Sequence, residues 1–319
     1  MPRRITPFRS ILVPLDGSPL AEQAIPLALE IAQRARSKVK LVLVHQRPPV
    51  FLEPEYTRMY TKVDLAVLKS ERRYLRGLVE RLRPRMGKAL TSAVLQGEPA
   101  PTLSKYVPDA DVELVVMTTH GRGGLRRVWL GSVADHLVRT LEVPVLLVRA
   151  LEGGSGAEWA GIDKILVPLD GSPLAEASLE PARDLARLLG ASISIVNVVS
   201  PAVFTSDPAL PFAARYDEKV TAMRRDAAQD YLRDIVAGFQ EQEVNASGIA
   251  VIGGSAADMI LDLARSEQVG LVAIATHGRG GLKRLVLGSV ADKLVRATEV
   301  PVLVYRPKGG QMRRSRRRT

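Results

Sequence analysis

One segment of the chain, which has a near-identical copy later on, combines the residue types that bind phosphate. It reads THGRGGLRRVWLGSVAD from Thr119 to Asp135, and its copy begins at Thr276. Each segment is a loop of glycines and arginines that ends in a Gly-Ser pair, Gly131-Ser132 in the first copy, where a helix is predicted to begin. The first turn of a helix has free N–H groups, and a glycine lets an anion approach them closely. The segment therefore predicts an anion-binding loop in each copy.

An aspartate occupies the other strongly repeated segment. ILVPLDGSPLAE occurs twice without change, so Asp16 and Asp170 each follow an apolar run that is typical of a buried strand. Open α/β sheets bind ligands outside the carboxyl ends of the strands, where the strand order reverses. If the first and fourth strands are neighbours, each aspartate faces the same crevice as its glycine loop. Plainer alternatives stay open: the aspartates cap the following helix, the glycines only form a turn, and Ser132 only caps a helix, with Asp135 completing a capping box.

The common phosphate-binding fingerprints are absent. The chain has no G-x-x-x-x-G-K-[ST] sequence, and its glycine loop follows the fourth predicted strand rather than the first. Asp16 and Asp170 could hold Mg²⁺ through a phosphate or a water, but no second carboxylate stands beside either of them in the sequence. The sequence therefore predicts no metal site built from side chains alone.

The four histidines do not form a catalytic set. His120 and His277, beside the glycine loops, could transfer a proton or contact phosphate, although ordering of the loop is the simpler role. The repeat aligns His45 with Asn197 and His136 with a lysine, so neither is expected to act as a base in both copies.

Strands alternate with helices in both copies. The first copy has predicted strands at SILVPL, VKLVLVH, TSAVLQG, VELVVMTT and VPVLLVR, and helices over Ser18 to about Arg36, Lys62 to Arg85, Pro99 to Tyr106 and onward from Ser132. Pro26 falls inside the first of these helices and is expected to kink it. The second copy repeats the order with ILVPL, SISIVNV, SGIAVIG, LVAIAT and VPVLVYR. This alternation predicts an α/β fold of doubly wound domains with parallel sheets.

The repeat also predicts the domain organisation. The two aspartates lie 154 residues apart and the two Gly-Ser pairs 157 apart, so each copy is long enough to bury a core of its own. We predict a first domain at residues 1–150, a linker at 151–162, a second domain at 163–306 and a basic tail at 307–319.

The composition is that of an ordinary globular protein with basic ends. Hydrophobic residues make up 46% and charged residues 25% of the chain, and no cysteine is present to form a disulfide, a thiolate metal site or a nucleophile. Ten positive charges at the two ends account for nearly all of the net charge of +11. No apolar run is long enough to cross a bilayer, so we expect a cytoplasmic protein without a membrane span. The RRSRRR tail is expected to be disordered, or to contact nucleic acid or an anionic surface non-specifically.

Three motifs in combination, ILVPLDGS, THGRGGL…LGSVAD and VPVLLVR, resemble the universal stress protein family in its tandem two-domain form. Members of that family that bind ATP carry G-x-x-G, nine residues and then G-[ST]. Gly121 with Gly131-Ser132 matches the second half of that pattern, as does the second copy from Gly278. The first glycine of the pattern falls on Thr118 and on Ala275, whose side chains would crowd a nucleotide more than glycine does.

The resemblance implies two Rossmann-like domains of the adenine-nucleotide alpha-hydrolase type, each a five-stranded parallel sheet with helices on both faces. It also implies ATP, with or without Mg²⁺, as the ligand. The aspartates would contact ribose or base, the prolines would shape the base pocket, and the ends of the second strands would offer backbone groups to adenine. The implied nucleotide-binding residues are Pro14, Asp16, Gln46, Gly97, Thr118, Gly121, Arg122, Gly131, Ser132 and Val133 in the first copy, and Pro168, Asp170, Val198, Gly253, Ala275, Gly278, Arg279, Gly288, Ser289 and Val290 in the second.

Three functions fit these features. The leading hypothesis is a regulatory stress protein that binds an adenine nucleotide with little or no turnover. The alternatives are a slow ATPase or phosphate-transfer enzyme, and an interaction scaffold that binds no nucleotide. The last strand of each domain is expected to lie at a sheet edge, so we expect the two halves to pack as an intramolecular pseudo-dimer, with a homodimer of whole chains as a further option.

Overall fold

The structure of the protein, a computed structural model, describes residues 7–47, 54–119, 130–150, 161–205, 214–276 and 287–308. The chain divides into two compact units, Met1–Trp159 and Ala160–Thr319. Within the described residues, no helix combines the length and the apolar character that crossing a membrane requires.

The two units have the same order of main elements. The first contains β1 (Ser10–Leu15), α1 (Pro19–Glu22), α2 (Ile25–Ala35), β2 (Lys38–His45), α3 (Pro54–Met86), β3 (Leu90–Gln96), α4 (Pro99–Asp109), β4 (Leu114–Thr118), α5 (Ser132–Thr140) and β5 (Val145–Val148). The second contains β6 (Lys164–Pro168), α6 (Pro173–Glu176), α7 (Leu179–Leu189), β7 (Ser192–Val199), β8 (Val203–Thr205), β9 (Ala214–Tyr216), α8 (Glu218–Gln240), β10 (Ala246–Ile252), α9 (Ala256–Ser266), β11 (Leu271–Ala275), α10 (Ser289–Ala297) and β12 (Val302–Tyr305).

The main strands of each unit form a parallel sheet whose order reverses beside its first strand. The order is β3-β2-β1-β4-β5 in the first unit and β10-β7-β6-β11-β12 in the second. The α/β, doubly wound, Rossmann-like fold predicted from the sequence is confirmed. Because β1 pairs with both β2 and β4, the condition for a ligand crevice at the end of β1 is met.

The central strands are buried on both faces. Ile11, Leu12 and Val13 of β1 are fully buried, and every residue of β4 is buried as well. Successive side chains of a strand point to opposite faces, so consecutive buried residues require cover on both sides of the sheet. This is why these strands appear in the sequence as continuous apolar runs rather than as alternating patterns.

Three local features differ from the sequence prediction. The first helix is interrupted between Glu22 and Ile25, so Pro26 lies in the first turn of α2, where its missing N–H costs no hydrogen bond. Helix α3 begins at Pro54 rather than near Lys62. The antiparallel pair β8–β9 is absent from the prediction because strands of three residues are too short for their periodicity to be read.

Candidate functional site

A proline interrupts the backbone hydrogen bonding between β1 and β4 in the first sheet. The bond from Glu113 N–H to the Ser10 carbonyl shows that the even-numbered residues of β1 face β4. Pro14 is one of these residues, and it has no N–H to donate across the gap. The ladder between the two strands stops at Leu12, although β4 continues to Thr118. Backbone pairing therefore ends before the carboxyl ends of the two strands, at the edge of the sheet where the strand order reverses.

The second unit repeats this arrangement. The Gly270 N–H donates to the Lys164 carbonyl, so the even-numbered residues of β6 face β11, and Pro168 is among them. The ladder stops at Leu166 while β11 continues to Ala275. Both copies thus have a proline at the position where the backbone hydrogen bonds between the first and fourth strands would otherwise continue.

The aspartate at the end of β1 is held by the serine two residues later. The Ser18 N–H and hydroxyl donate to Asp16 Oδ1 at 2.9 and 2.6 Å, and Ser18 Oγ accepts the Ala21 N–H at 3.2 Å. The serine, rather than the aspartate, is therefore the N-cap of α1. In the second unit Ser172 caps α6 and donates its N–H to Asp170 at 2.9 Å. These bonds fix each carboxylate at the mouth of its crevice.

A helix begins on the other side of the crevice. Gly131 is the N-cap of α5, Ser132 and Val133 are its first two residues, and the Ser132 side chain makes no cap bond. The interpretation of Ser132 as the N-cap is thus wrong, because the helix begins at Ser132 itself, one residue earlier than a serine cap requires. Asp135 does not complete a capping box either: its carboxylate accepts two bonds from Arg139 at 2.8 and 2.7 Å.

The first turn of α5 keeps donors available. The Gly131 N–H is used by the Thr119 carbonyl at 2.8 Å, and the Gly131 carbonyl accepts the Asp135 N–H. The N–H groups of Ser132 and Val133 have no acceptor among the described residues. Thr118, where the family pattern has glycine, is the buried last residue of β4.

The corresponding helix of the second unit begins in the same way. Gly288 is the N-cap of α10, and Ser289 and Val290 are its first two residues. Ala275 ends β11, and the next residue, Thr276, has a buried hydroxyl without a hydrogen-bond partner in the described part of the chain. A buried hydroxyl without a partner is costly, so this atom marks a position that a polar ligand group can occupy.

The strand pairing corrects one equivalence between the copies. The Gly97 N–H donates to the His45 carbonyl, and the Gly253 N–H donates to the Val199 carbonyl, each at 3.1 Å. His45 therefore corresponds to Val199 and not to Asn197. The apolar pattern of a strand repeats every two residues, so a shift by two residues cannot be seen in the sequence.

The same register changes the pairing of Gln46. The residue of the second domain that is equivalent to Gln46 is Ser200 and not Val198. Val198 lies inside β7, close to Gly253. A Cβ on Gly253 would lie 3.4 Å from Val198 Cγ1 and 2.4 Å from Met259 Cγ. A Cβ on Gly97, whose φ is +131°, would lie 2.7 Å from the Thr102 hydroxyl. Close approach of the following helix is therefore enough to require both glycines.

Comparison with known proteins agrees with this geometry. The model of the universal stress protein family matches residues 7–149 and again residues 161–306. The chain belongs to the universal stress protein family. Its tandem form is confirmed, because the two matches cover nearly all of the described residues.

Relatives of similar length exist among universal stress proteins. One from Mycobacterium tuberculosis is 31% identical over 220 residues, which cover 68% of this chain and 69% of the relative. Another from the same species is 28% identical over 318 residues and covers 93% of this chain and 94% of the relative. The crystal structure of a universal stress protein from Archaeoglobus fulgidus shares the fold, with a TM-score of 0.64, 17% identity and coverage of 94% and 99% of the two chains.

This universal stress protein has a buried histidine between two carboxylates at the end of β2, a cluster that the sequence analysis missed. His45 is 2% exposed, and its ring nitrogens lie 2.7 Å from Glu71 Oε2 and 2.9 Å from Asp64 Oδ1. Both carboxylates come from α3, and Arg47 lies 3.6 Å from Asp64. Their i, i+7 spacing puts them on one helix face, and this is the signal that would have found them. The cluster fastens α3 to the strand end beside Gln46, whose amide donates to Glu98 at 2.8 Å.

In each domain a tyrosine joins the long helix, α3 or α8, to the short helix that follows the aspartate, α1 or α6. Tyr74 donates to Glu22 of α1 at 2.9 Å, and Tyr231 donates to Glu176 of α6 at 3.0 Å. Burial raises the pKa of both hydroxyls, the carboxylate partner raises it further, and the charge of the nearby Asp16 or Asp170 adds to the effect. The tyrosines are therefore held in their neutral, donating form.

This pKa shift predicts an alkaline loss of stability. A tyrosine whose pKa is higher in the folded than in the unfolded state contributes stability that is complete below the unfolded value of about 10 and declines as the pH rises above it. Urea unfolding from about pH 8 to about pH 11 should show this decline, and the Tyr74→Phe, Tyr231→Phe double variant should show a shallower one. Tyr216→Phe, at an exposed position, is the control and should follow the wild type. A double variant as steep as the wild type would contradict this assignment.

The remaining predicted residues of the site cannot be placed. Gly121, Arg122, Gly278 and Arg279, like His120 and His277, lie outside the described residues, as does the basic tail beyond Lys308. Across the described ranges, no group of three His, Asp or Glu side chains could hold a metal ion.

Proposed function

We propose that each domain binds ATP or a related adenine nucleotide at the crevice beside its first strand, and that the protein acts as a regulatory binding module in a stress response. The observation that carries this proposal is the end of the pairing between β1 and β4 before Pro14, with Asp16 after β1 and the start of α5 held at the end of β4. The second domain repeats it with Pro168 and Asp170.

The chemistry of this arrangement suits a nucleotide. A carboxylate accepts hydrogen bonds from ribose hydroxyls, and the free N–H groups of Ser132 and Val133 donate to phosphate oxygens. The helix dipole adds a favourable field for negative charge at the same end. In the second domain, Ser289 and Val290 supply the N–H groups and the unpartnered Thr276 hydroxyl supplies a further polar contact. Mg²⁺, when present, would be held mainly by the phosphates, since the described residues offer no carboxylate cluster.

The proposal is tested first by identifying the ligand. Protein purified and then denatured should release an adenine nucleotide that mass spectrometry detects, and calorimetric titration with Mg-ATP should give up to two sites per chain. Asp16→Asn and Asp170→Asn keep the acceptor that Ser18 and Ser172 need while removing the charge, so each should weaken its own site. If no nucleotide is released and millimolar ATP gives no heat, the proposal fails, and the scaffold hypothesis, which Thr118 and Ala275 favour, takes its place.

Little turnover is part of the proposal. The Ser18 hydroxyl beside Asp16 is buried and engaged as the N-cap of α1, so phosphate release should remain far below the median enzyme rate of about 10 per second. Release at that rate, lost in the His120→Ala, His277→Ala double variant, would instead identify an ATPase.

A further inference from the structure

The outermost strand of the second domain is covered by a side chain that takes the place of a neighbouring strand. The Ile193 N–H donates to the Asn245 carbonyl, so the odd-numbered residues of β10 face β7 and the even-numbered ones face outward. The amide of Gln229 on α8 donates to the outward Gly248 carbonyl at 3.0 Å and accepts the outward Ala250 N–H at 2.9 Å. One side chain thus makes the pair of bonds that an added strand would make.

Gly248 is what lets the helix come close enough for this contact. A Cβ at this position would lie 3.0 Å from Leu232 Cβ and 3.2 Å from Val236 Cγ2 of α8. The cover over β10 therefore depends on two residues together, a glycine in the strand and a glutamine on the helix.

The outermost strand of the first domain has no such cover. The Gly97 N–H donates to His45 on β2, so the odd-numbered residues of β3 face β2, and Ser92 and Val94 turn their backbone groups outward. These groups have no hydrogen-bond partner among the described residues. Exposed edges are commonly guarded by charges or proline, and β3 contains neither between Leu90 and Gln96.

The residue of α3 that is equivalent to Gln229 cannot accept a hydrogen bond from β3. Tyr74 and Tyr231 make equivalent bonds to α1 and α6, which aligns Arg72 with Gln229. A guanidinium only donates, so it cannot accept the outward N–H of Val94 as the Gln229 amide accepts that of Ala250. The first domain therefore keeps an open strand edge that the second domain has closed.

We propose that a second copy of this chain adds its own β3 to this edge, antiparallel and across a two-fold axis at Ala93. In that register, Ser92 of each copy pairs with Val94 of the other and exchanges both backbone hydrogen bonds, so the same outward groups are satisfied on both strands. The exposed Lys88 at one end of the strand then lies at the end that carries the exposed Glu98 of the other copy. Pairing of the two β3 strands thus satisfies their outward backbone groups and brings Lys88 of each copy near Glu98 of the other. The resulting homodimer does not depend on nucleotide.

Because Ala93 lies on the proposed two-fold axis, introducing opposite charges at this residue gives the sharpest test. Two Ala93 residues face each other directly, so Ala93→Lys and Ala93→Glu should each weaken the dimer about fivefold in sedimentation equilibrium, and an equimolar mixture of the two should restore it. Val94→Pro removes two hydrogen bonds per dimer and should weaken it about thirtyfold. Ile249→Lys, at the equivalent position on the covered strand β10, is the matched control and should sediment as the wild type.

Hydrogen exchange gives a readout that does not depend on any variant. The Ser92 and Val94 amides of the wild type should exchange more slowly as the protein concentration rises, while the Ala250 amide should not change. A wild type that stays monomeric at high concentration would overturn the proposal. So would an Ala93→Lys variant that dimerises as tightly as the wild type, because the contact would then lie elsewhere.

Discussion

Replacing Gly131 and Gly288 together by valine is expected to abolish the stabilisation that ATP gives to the wild type. A bound ligand stabilises by RT ln(1 + [L]/Kd), or about 2.7 kcal/mol at a hundredfold excess over Kd. For a domain of this size that corresponds to a rise in melting temperature of about 5–10 °C. A valine side chain just before the first turn would keep a phosphate from the N–H groups of Ser132 and Ser289, so this rise should disappear. Each single variant should lose the part that belongs to its own site.

The double variant is expected to fold, which makes the experiment decisive. Gly131 has φ −58° and ψ 148°, and Gly288 has φ −57° and ψ 152°, conformations that any residue adopts. Valine is a poorer N-cap than glycine, so about 1 kcal/mol of stability should be lost with or without ATP. Gly238→Ala, at a position of α8 where a Cβ meets nothing within 4 Å, is the control and should keep the full ATP response. A folded double variant that ATP still stabilises fully would remove the phosphate-binding role of this helix start.

His45→Leu should cause a large loss of stability in the first domain. The ring lies between Glu71 and Asp64 and supplies at least one N–H donor to this pair of carboxylates. Leucine would leave two mostly buried carboxylates facing an apolar side chain, with Arg47 near one of them. Removing one member of a buried ionic group commonly costs about 3–5 kcal/mol, and partial exposure of the carboxylates should bring this to about 2–3 kcal/mol. Urea unfolding at neutral pH measures it.

The second domain gives a reason to expect that replacing the two carboxylates as well would restore the stability lost in His45→Leu. Its equivalent position is Val199, a buried apolar residue, so the fold does not need a polar side chain there. The triple variant His45→Leu, Asp64→Leu, Glu71→Leu should therefore recover most of the lost free energy of unfolding. If the triple variant is as unstable as the single one, shape at this position rather than charge compensation holds α3 to β2.

The sequence predicts the fold well because the signals that specify it are local. Apolar runs such as ILVPL predict the buried strands, and the alternation with helices predicts a parallel sheet with right-handed crossovers. The position of Asp16 at the end of β1 also follows from the sequence alone. The aspartate at the end of β1 and the helix start after Gly131 lie where the sequence predicted them, and the strand order meets the condition that the predicted crevice required.

What the sequence does not predict depends on contacts between distant residues or on register. The partners of His45 lie 19 and 26 residues away on α3, and the Gln229 cover of β10 joins residues that nothing local connects. The Asn197 equivalence is wrong by two residues because a strand looks the same after a shift by two. The intramolecular pseudo-dimer of the two domains stays a prediction.

The proline at the end of each first strand also bears on how quickly a nucleotide can bind. Because Pro14 has no N–H, β1 and β4 cannot extend their pairing across this position, so the empty domain cannot close the site by forming that bond. Proteins that must first reach a rare open state bind more weakly by the fraction of time they spend open. If each domain binds a nucleotide as proposed, pairing of β1 with β4 adds no such step to its association rate. Its occupancy would then follow the cellular nucleotide concentration without delay, which suits a sensor better than a store.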